Sequence, residues 1–302
     1  MTVSALAPHF RELQSQFQGT ENDGLVPTNV PGVQFFWVTE PVPRAPLIYS
    51  AGIVIIGQGH KIGYLGDRRF RYDAATYLVV GVPIPFECET HATPEEPLLG
   101  IRIDIDIAAL HELVAKLRVD MRQEKDTLPP HGLEPSQMND DMLEATIRLI
   151  KCMRDPMDGR VLGTAAVNEV IYRVVRSEQG RVLYSLTQHH TPYAAVARSL
   201  DRIHSDYRDA LSVEQLAQEN GMGVSSFHRA FKRVTGDSPL QYLKKVRLDK
   251  ARGLLVHQGM QVNAVAYEVG YESPSQFSRE YSRLFGAPPS KDIKKLLETT
   301  TH

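Results

Sequence analysis

A repeated segment in the C-terminal third is the feature that most restricts how this chain can fold. FHRAFKRVTGDSP at 227–239 matches FSREYSRLFGAPP at 277–289 with a constant offset of 50 residues. Upstream of these, LAQENG at 216–221 matches VAYEVG at 265–270 with an offset of 49. Two copies are too few for a solenoid, which needs about three or more stacked repeats. The repeat therefore predicts two related modules.

Each copy has the pattern of a helix, a glycine turn and a second helix. In the first copy, Ser212 and Gln215 have the spacing of a capping box, in which each side chain satisfies a backbone N–H of the other residue. Gly221 supplies the turn because glycine adopts a left-handed backbone at the least cost, and Gly236 ends the second helix. The buried stripe of that helix, identified by its spacing, comprises Phe227, Phe231 and Val234.

The second copy starts its second helix with a similar signal. Ser273 is predicted to cap the helix, Pro274 to be its first residue and Gln276 to complete a capping box. Gly286 ends the helix. Its predicted core residues are Phe277, Tyr281 and Leu284.

A connecting helix is predicted between the two copies, from a cap at Ser238 and a first residue at Pro239 to about Val256. Gln241 completes a capping box with Ser238. This helix should join the copies rigidly. Its inward-facing residues are predicted to be Leu240, Leu243, Ala251 and Leu254.

The face opposite each apolar stripe carries side chains suited to DNA. Arginine can donate two hydrogen bonds to guanine in the major groove, and Ser, His and Lys can reach bases or phosphates. A solvated helix face explains one such copy equally well, whereas two matched copies favour DNA. The first copy presents Ser225, His228, Arg229, Lys232 and Arg233. The second presents Ser275, Arg279, and either Ser282 or Arg283.

Net charge is divided unevenly along the chain. Residues 196–302 carry 16 Lys and Arg against 12 Asp and Glu, a net charge of +4. The remaining residues carry 18 against 24, a net charge of −6. This asymmetry indicates that the C-terminal part is the one that meets a polyanion.

The segments 211–255 and 262–290 resemble the C-terminal DNA-binding domain of AraC/XylS-type transcriptional regulators, and VGYESPSQFSREYSRLFGAPP at 269–289 is the most specific match. The resemblance covers about a third of the chain, residues 196–293. It implies seven helices with two helix–turn–helix units, whose recognition helices enter successive major-groove segments on one face of DNA.

The resemblance also implies which positions contact bases. They fall at Ser225, His228 and Arg229 in the first unit and at Pro274, Ser275 and Arg279 in the second. Two positions depart from the family pattern. Gly223 stands where a capping serine is common, which costs only a few tenths of a kcal/mol. Pro274 has no N–H and is restricted to apolar contacts such as a thymine methyl group.

Residues 30–106 have the pattern of a β domain. Short apolar or alternating runs rich in Val, Ile, Tyr and Phe are separated by Gly or Pro, which predicts a sandwich or barrel. HKIGYLGDRRF at 60–70 predicts a hairpin with a Gly-Asp turn. Helical spacing then begins at Ile107 and recurs at 139–153, where Asn139 or Asp140 caps the start, and at 162–176.

The β segment IVIIGQGHKIGYLGDRRFRYDAATYLVV at 53–80 resembles the cupin-like effector domain of a subgroup of the same regulators. The expected architecture is therefore α+β. Residues 1–188 would form a cupin-like β-barrel with trailing helices that senses a small molecule and dimerises, and residues 189–302 an all-α DNA-binding domain. The implied partners are double-stranded DNA, an unidentified small-molecule effector, a second copy of the chain and RNA polymerase.

An effector pocket in a small barrel would be lined by inward aromatic and aliphatic side chains. The same side chains could instead only fill the barrel. The candidates are Tyr49, Ile55, Tyr64, Tyr72, Tyr77 and Phe86.

An enzyme tethered to DNA by its helix–turn–helix domain is the main alternative. A metal-dependent cupin needs two closely spaced histidines, a glutamate and a later histidine, but the β segment has only His60 and His91. Glu87 and Glu89 have no second histidine nearby, and His189-His190 lies in the polar junction 186–196. No catalytic residue, metal or cofactor is therefore predicted. A helical module that binds protein instead of DNA is a third alternative.

Composition also limits the location of the protein. No apolar run approaches the roughly 18 residues that span a bilayer, so no contact with the membrane is predicted. Cys88 and Cys152 lie outside any CxxC motif, which indicates free thiols in a reducing cytoplasm.

Overall fold

The computed structural model describes residues 5–17, 24–117 and 129–300, with the backbone alone at residue 257 and at 295–300. The chain divides into two compact units, Met1–Ala194 and Ala195–His302. The first unit combines strands with helices and the second is helical, as expected for an α+β protein.

Ten strands of the first unit, built from the alternating and apolar runs between Gly24 and Gln137, form one sheet. They are β1 (Gly24–Pro27), β2 (Val33–Val38), β3 (Val42–Tyr49), β4 (Gly52–Gln58), β5 (His60–Leu65), β6 (Arg68–Asp73), β7 (Thr76–Val80), β8 (Ile84–His91), β9 (Leu98–Asp104) and β10 (Leu133–Gln137).

The strand order is β1-β2-β9-β4-β7-β6-β5-β8-β3, with β10 paired to β7, and the paired strands are antiparallel. Although β2 and β5 are far apart in this order, Lys61 Nζ lies 5.5 Å from the ring centroid of Phe36. The sheet therefore curls until its two halves face each other, which gives a half-barrel and confirms the predicted cupin-like fold. The β5–β6 hairpin is also confirmed, with Gly66 in the turn at φ +58°.

Within the described residues of this unit, five helices accompany the sheet: α1 (Leu6–Gln16), α2 (Ile107–Leu117), α3 (Asp140–Arg154), α4 (Pro156–Val175) and α5 (Gly180–Leu186). Asn139 caps α3 by accepting a hydrogen bond from the backbone N–H of Met142 at 2.8 Å, as predicted. Helix α1, which the sequence pattern did not indicate, packs Phe10 over Gly57 of β4, where any Cβ would lie about 2.0 Å from the ring. This helix therefore covers the outer face of β4.

The second unit contains the seven helices that the family resemblance implies. They are α6 (Pro192–Ser205), which begins at the end of the first unit, α7 (Val213–Glu219), α8 (Val224–Thr235), α9 (Pro239–Gln258), α10 (Val262–Glu268), α11 (Pro274–Phe285) and α12 (Pro289–Thr300).

Local signals in the first copy, α7 and α8, are confirmed. Ser212 and Gln215 form a complete capping box before α7. The turn after α7 places Gly221 at φ +64°, and Gly236 ends α8 in the left-handed conformation at φ +80°. A second capping box, between Ser238 and Gln241, starts α9.

In the second copy, α10 and α11, Ser273 accepts a hydrogen bond from the backbone N–H of Gln276 at 3.3 Å. The predicted reciprocal bond is replaced, because the Gln276 amide donates to Glu280 at 3.2 Å. Leu240 was expected to face inward but is 53 % exposed. That prediction is wrong because Leu240 lies in the first turn of α9, at the edge of a shallow apolar groove lined by α7 residues such as Val213.

Candidate DNA-binding face and half-barrel interior

The outward face of α8 is a continuous polar stripe. Its members stand at i, i+3, i+4, i+7 and i+8, the spacing that places side chains on one side of a helix. Phe227 and Phe231 on the opposite side are fully buried and fix the rotation of α8. All five residues predicted to face DNA from the first copy are exposed: Ser225, His228, Arg229, Lys232 and Arg233.

The outward face of α11 repeats this stripe at an offset of 50 residues. Ser275, Arg279 and Arg283 are exposed and occupy the positions of Ser225, Arg229 and Arg233. Pro274 is half-buried. Of the two alternatives Ser282 and Arg283, the arginine is the more exposed, and the Ser282 hydroxyl donates to the carbonyl oxygen of Ser278 at 2.7 Å.

A carboxylate next to Arg279 sets the orientation of α11. Glu280 accepts hydrogen bonds from Lys244 of α9 at 2.7 Å and from the Tyr271 hydroxyl at 2.8 Å. Burial alone would raise the pKa of Glu280, but the bonds from Lys244, Tyr271 and Gln276 outweigh it and lower the pKa. Glu280 is therefore held as a carboxylate while Arg279 points to the surface.

The first copy lacks this particular contact. Ala230 stands at the position equivalent to Glu280 and is buried. Instead, Lys245 of α9 donates to Asp237, in the loop after α8, at 2.7 Å. Arg229 and Arg279 have no hydrogen bond or ion pair within the described part of the chain. Both guanidinium groups are thus available for an outside partner.

The half-barrel interior brings together three of the six proposed effector-lining residues. Tyr49 Oη lies 3.3 Å from Tyr72 Oη, and the Tyr49 ring lies 5.5 Å from that of Phe86. Tyr72 and Phe86 are buried and Tyr49 is half-buried. These three side chains form a single aromatic cluster.

The other three candidates lie elsewhere. Ile55 and Tyr77 share the face of Gly57, on which α1 packs, because alternate and directly paired residues of a sheet lie on one side. Tyr77 accepts a hydrogen bond from Ser136 at 2.9 Å. The Tyr64 ring lies outside the barrel under the Arg44 guanidinium, at 3.9 Å. None of the three reaches the aromatic cluster.

Two polar residues of the interior were not anticipated. Lys61 Nζ lies 3.3 Å from Tyr49 Oη, and Tyr72 Oη lies 3.3 Å from Cys88 Sγ. A lysine at an inward position of an otherwise apolar pattern was the available signal. Burial raises the pKa of both Tyr72 and Cys88, so both groups are neutral at pH 7.

Histidines form two stacked pairs in the first unit. His60 and His91, neighbours on β5 and β8, stack with ring centroids 4.4 Å apart, and His91 contacts Glu89 at 3.1 Å. Burial and then Arg71 lower the pKa of His60. His189 stacks on His111 at 5.6 Å. Nowhere in residues 5–17, 24–117 and 129–300 do three His, Cys, Asp or Glu side chains form a group that could hold a metal ion.

A curled sheet followed by two helix–turn–helix copies with basic outward faces defines a class of two-part helix–turn–helix proteins. The family described as AraC-type transcriptional regulator N-terminus matches residues 29–182, and the family described as helix-turn-helix domain matches residues 216–295. The first match covers half of the chain, and the chain belongs to the AraC-type transcriptional regulators.

Curated relatives are identical to this chain at about a quarter of the aligned positions. The virulence regulon transcriptional activator VirF of Yersinia enterocolitica is 28 % identical over 142 residues, 46 % of this chain and 51 % of the relative. The transcriptional activator RhaS of Salmonella paratyphi A is 26 % identical over 168 residues, 54 % and 59 % of the two chains. The chain spans little more than half the length of these relatives.

Solved structures support the same fold. The apo form of a ToxT variant from Vibrio cholerae has a TM-score of 0.58 at 10 % identity and covers 88 % of this chain and 98 % of its own. Wild-type ToxT of Vibrio cholerae bound to an unsaturated fatty acid has a TM-score of 0.57 at 12 % identity, covering 91 % and 96 %. At these identities the likeness establishes the fold alone.

Proposed function

We propose that the protein is a sequence-specific DNA-binding transcriptional regulator controlled by a small molecule. The observation that carries this proposal is the pair of matched polar stripes on α8 and α11. Each has an exposed arginine at the same position of the repeat, Arg229 and Arg279, that is unpaired within the described residues. Base contacts are assigned to Ser225, His228 and Arg229, with further contacts from the second stripe. Lys232, Arg233 and Arg283 lie toward the phosphate backbone, and Pro274 makes only apolar contacts.

The effector is assigned to the first part of the chain, residues 1–188, and DNA binding to residues 189–302. A half-barrel interior with an aromatic cluster, in which Tyr49 is half-buried, supports the first assignment. ToxT, which has the same fold, binds an unsaturated fatty acid. Signal would then pass from the β unit to the helical unit through a change in the orientation or exposure of the DNA-binding face.

Dimerisation is assigned to the trailing helices of the first unit. Helix α4 exposes three large apolar side chains within two turns, Met157 at 62 %, Val161 at 67 % and Leu162 at 50 %. Such a patch is typical of an interface. Sedimentation should show a dimer for the parent and a monomer for Val161→Glu, whereas Lys151→Glu on the neighbouring α3 should remain dimeric. A monomeric parent would contradict this assignment.

RNA polymerase contact and a cytoplasmic location belong to the same proposal. Both are supported by relatives that are named transcriptional activators, which also favours a regulator over an enzyme. No helix in the described residues is long and apolar enough to span a membrane. Stoichiometric iron or zinc in the purified protein would instead support the enzyme alternative.

A gel-shift experiment tests the proposal directly. The full chain is incubated with DNA from upstream of its own coding region, and with shuffled DNA of equal length, at two salt concentrations. Selective binding that weakens at higher salt is expected, because Lys and Arg release counterions from phosphates. Absence of any selective shift, with and without candidate effectors, would contradict the proposal.

A further inference from the structure

The half-barrel interior holds a cation without an anionic partner. Lys61 is half-buried, and its Nζ has one hydrogen-bond partner within the described residues, the hydroxyl of Tyr49 at 3.3 Å. Its other close neighbours are the rings of Phe36 at 5.5 Å and Tyr49 at 5.9 Å. An ammonium group has three N–H donors, so Lys61 retains donors that the described part of the chain does not satisfy.

The surrounding groups do not neutralise this charge. Tyr72 faces Lys61 across the β5–β6 ladder, and Cys88 stands opposite Gly63 on the same inner face. Both groups are neutral at pH 7. The carboxylates of β8 alternate to the outside, where Glu87 binds Arg44 and Glu89 binds His91. Enclosed charges in proteins are normally paired, and none of the residues that the structure describes supplies the pairing group.

The polar groups near Lys61 form a hydrogen-bonded chain. Hydroxyl and thiol groups lead inward from Lys61 through Tyr49 and Tyr72 to Cys88, each step 3.3 Å. The thiol donates to the carbonyl oxygen of Glu89 at 3.7 Å. With the thiol hydrogen bonded there, the sulfur accepts from the Tyr72 hydroxyl, and the Tyr49 hydroxyl can donate its hydrogen to a ligand. Lys61 and Tyr49 then present two converging donors beside aromatic rings.

We propose that the effector is a monocarboxylate with an apolar body, whose carboxylate binds Lys61 Nζ and Tyr49 Oη while its body packs on Phe36 and Phe86. This inference rests on the proposed effector-sensing function and specifies its ligand. A carboxylate fits better than a phosphate, because two donors match two oxygens, whereas phosphate sites usually add an arginine fork or several backbone N–H groups.

A comparison of acids with their amides tests whether the negative charge of the ligand is required for binding. The full chain is titrated calorimetrically with benzoate, octanoate and decanoate, and with benzamide, octanamide and decanamide, with inorganic phosphate as a separate arm. At least one acid should bind, and its amide should bind roughly tenfold or more weakly, because a hydrogen bond to a charged group is lost. Equal binding of acids and amides, binding of phosphate alone, or binding of no acid would overturn the proposal.

Variants locate the site. Lys61→Gln should weaken acid binding roughly tenfold to a hundredfold, Tyr49→Phe should weaken it less, and Lys61→Arg should restore part of it. Lys151→Gln, an exposed lysine on α3, is the matched control. Unchanged acid binding by a folded Lys61→Gln protein would overturn the assignment.

The gel shift separates this inference from the proposed function. Lys61→Gln should still bind operator DNA without acid but lose any acid-dependent change in that binding. If acids bind through Lys61 but the parent never shifts DNA, the regulator proposal fails and the carboxylate site stands. If DNA binds selectively but no acid binds, only the carboxylate site fails.

Discussion

Arg247 donates a hydrogen bond from Nη1 to the carbonyl oxygen of Gly270 at 2.9 Å and so ties the connecting helix α9 to the turn of the second copy. The same guanidinium donates to the carbonyl oxygens of Tyr207 at 2.6 Å and Asp209 at 2.9 Å. One side chain thus bonds to backbone acceptors of two loops, one of which, the carbonyl oxygen of Asp209, also accepts from the backbone N–H of Leu211 at 2.9 Å.

Replacement of Gly270 by alanine should destabilise the second unit strongly. Gly270 has φ +86°, and an added Cβ would lie 2.5 Å from the carbonyl oxygen of Arg208 and 3.0 Å from the Arg247 guanidinium. Gly221, its equivalent in the first copy, has φ +64° and nothing within 4 Å. Urea unfolding followed by circular dichroism should give a loss of about 1–2 kcal/mol for Gly221→Ala and about 1–3 kcal/mol more for Gly270→Ala. Equal losses of unfolding free energy for the two variants would show that the structure around Gly270 accommodates the added Cβ without further destabilisation.

Arg229→Ala and Arg279→Ala should each relax sequence preference. If each guanidinium binds a base edge, its loss should cost about 1–3 kcal/mol of specific binding and leave non-specific binding less affected. Fluorescence anisotropy with operator and shuffled DNA measures both. Arg69→Ala, an exposed arginine of the first unit, controls for net charge. An Arg279→Ala protein as selective as the parent would remove Arg279 from the base-reading set.

Lys232→Ala should weaken binding to all DNA sequences alike. A lysine that contacts phosphate contributes through counterion release, so its removal should reduce the slope of log affinity against log salt by about one. The measurement is a salt titration of binding for the parent, Lys232→Ala and the first-unit control Lys151→Ala. An unchanged slope would place Lys232 away from the phosphates.

Glu280→Gln should make the second unit less sensitive to acid. Because the folded-state pKa of Glu280 is lowered below the ordinary 4.5, its carboxylate stabilises the fold above pH 4.5, and this stabilisation is lost as pH falls through the folded-state pKa. The variant should therefore be less stable than the parent by about 1–3 kcal/mol at pH 7, with a difference that shrinks as the pH falls below 4.5. Urea unfolding at pH 7, 5, 4 and 3 tests this. Glu272→Gln, exposed in the same turn, should show no such narrowing, and a constant difference for Glu280→Gln would contradict the prediction.

Features encoded by neighbouring residues were predictable from the sequence. The caps at Ser212 and Ser238 and the glycine turns depend on contacts within a few residues, so the spacing of these residues in the sequence was sufficient to predict them. The offset of 50 placed Arg229 and Arg279 on equivalent faces for the same reason. Leu240 was wrongly predicted to be buried, because helical spacing does not show which turns of a helix extend beyond the elements that pack against it.

Interactions between distant strands were not predictable. The contact of Lys61 with Phe36 depends on the curl of the whole sheet, which brings β5 opposite β2. The assignment of Ile55 and Tyr77 to the helix-covered face depends on strand register, and an apolar strand that is buried on both sides gives no alternation from which to infer it. The bond from Lys244 of α9 to Glu280 likewise joins residues far apart in the chain, and it holds the carboxylate to which Gln276 donates.

The hydrogen bonds to Glu280 have a consequence for operators whose two half-sites are not ideally spaced. Lys244 and Tyr271 hold α11 through this carboxylate, whereas Ala230 offers the first copy no acceptor at that position. When two half-sites depart from their ideal separation, we expect α8 to shift and α11 to keep its place. Naturally occurring sites should then be more uniform in sequence where α11 binds and more varied where α8 binds.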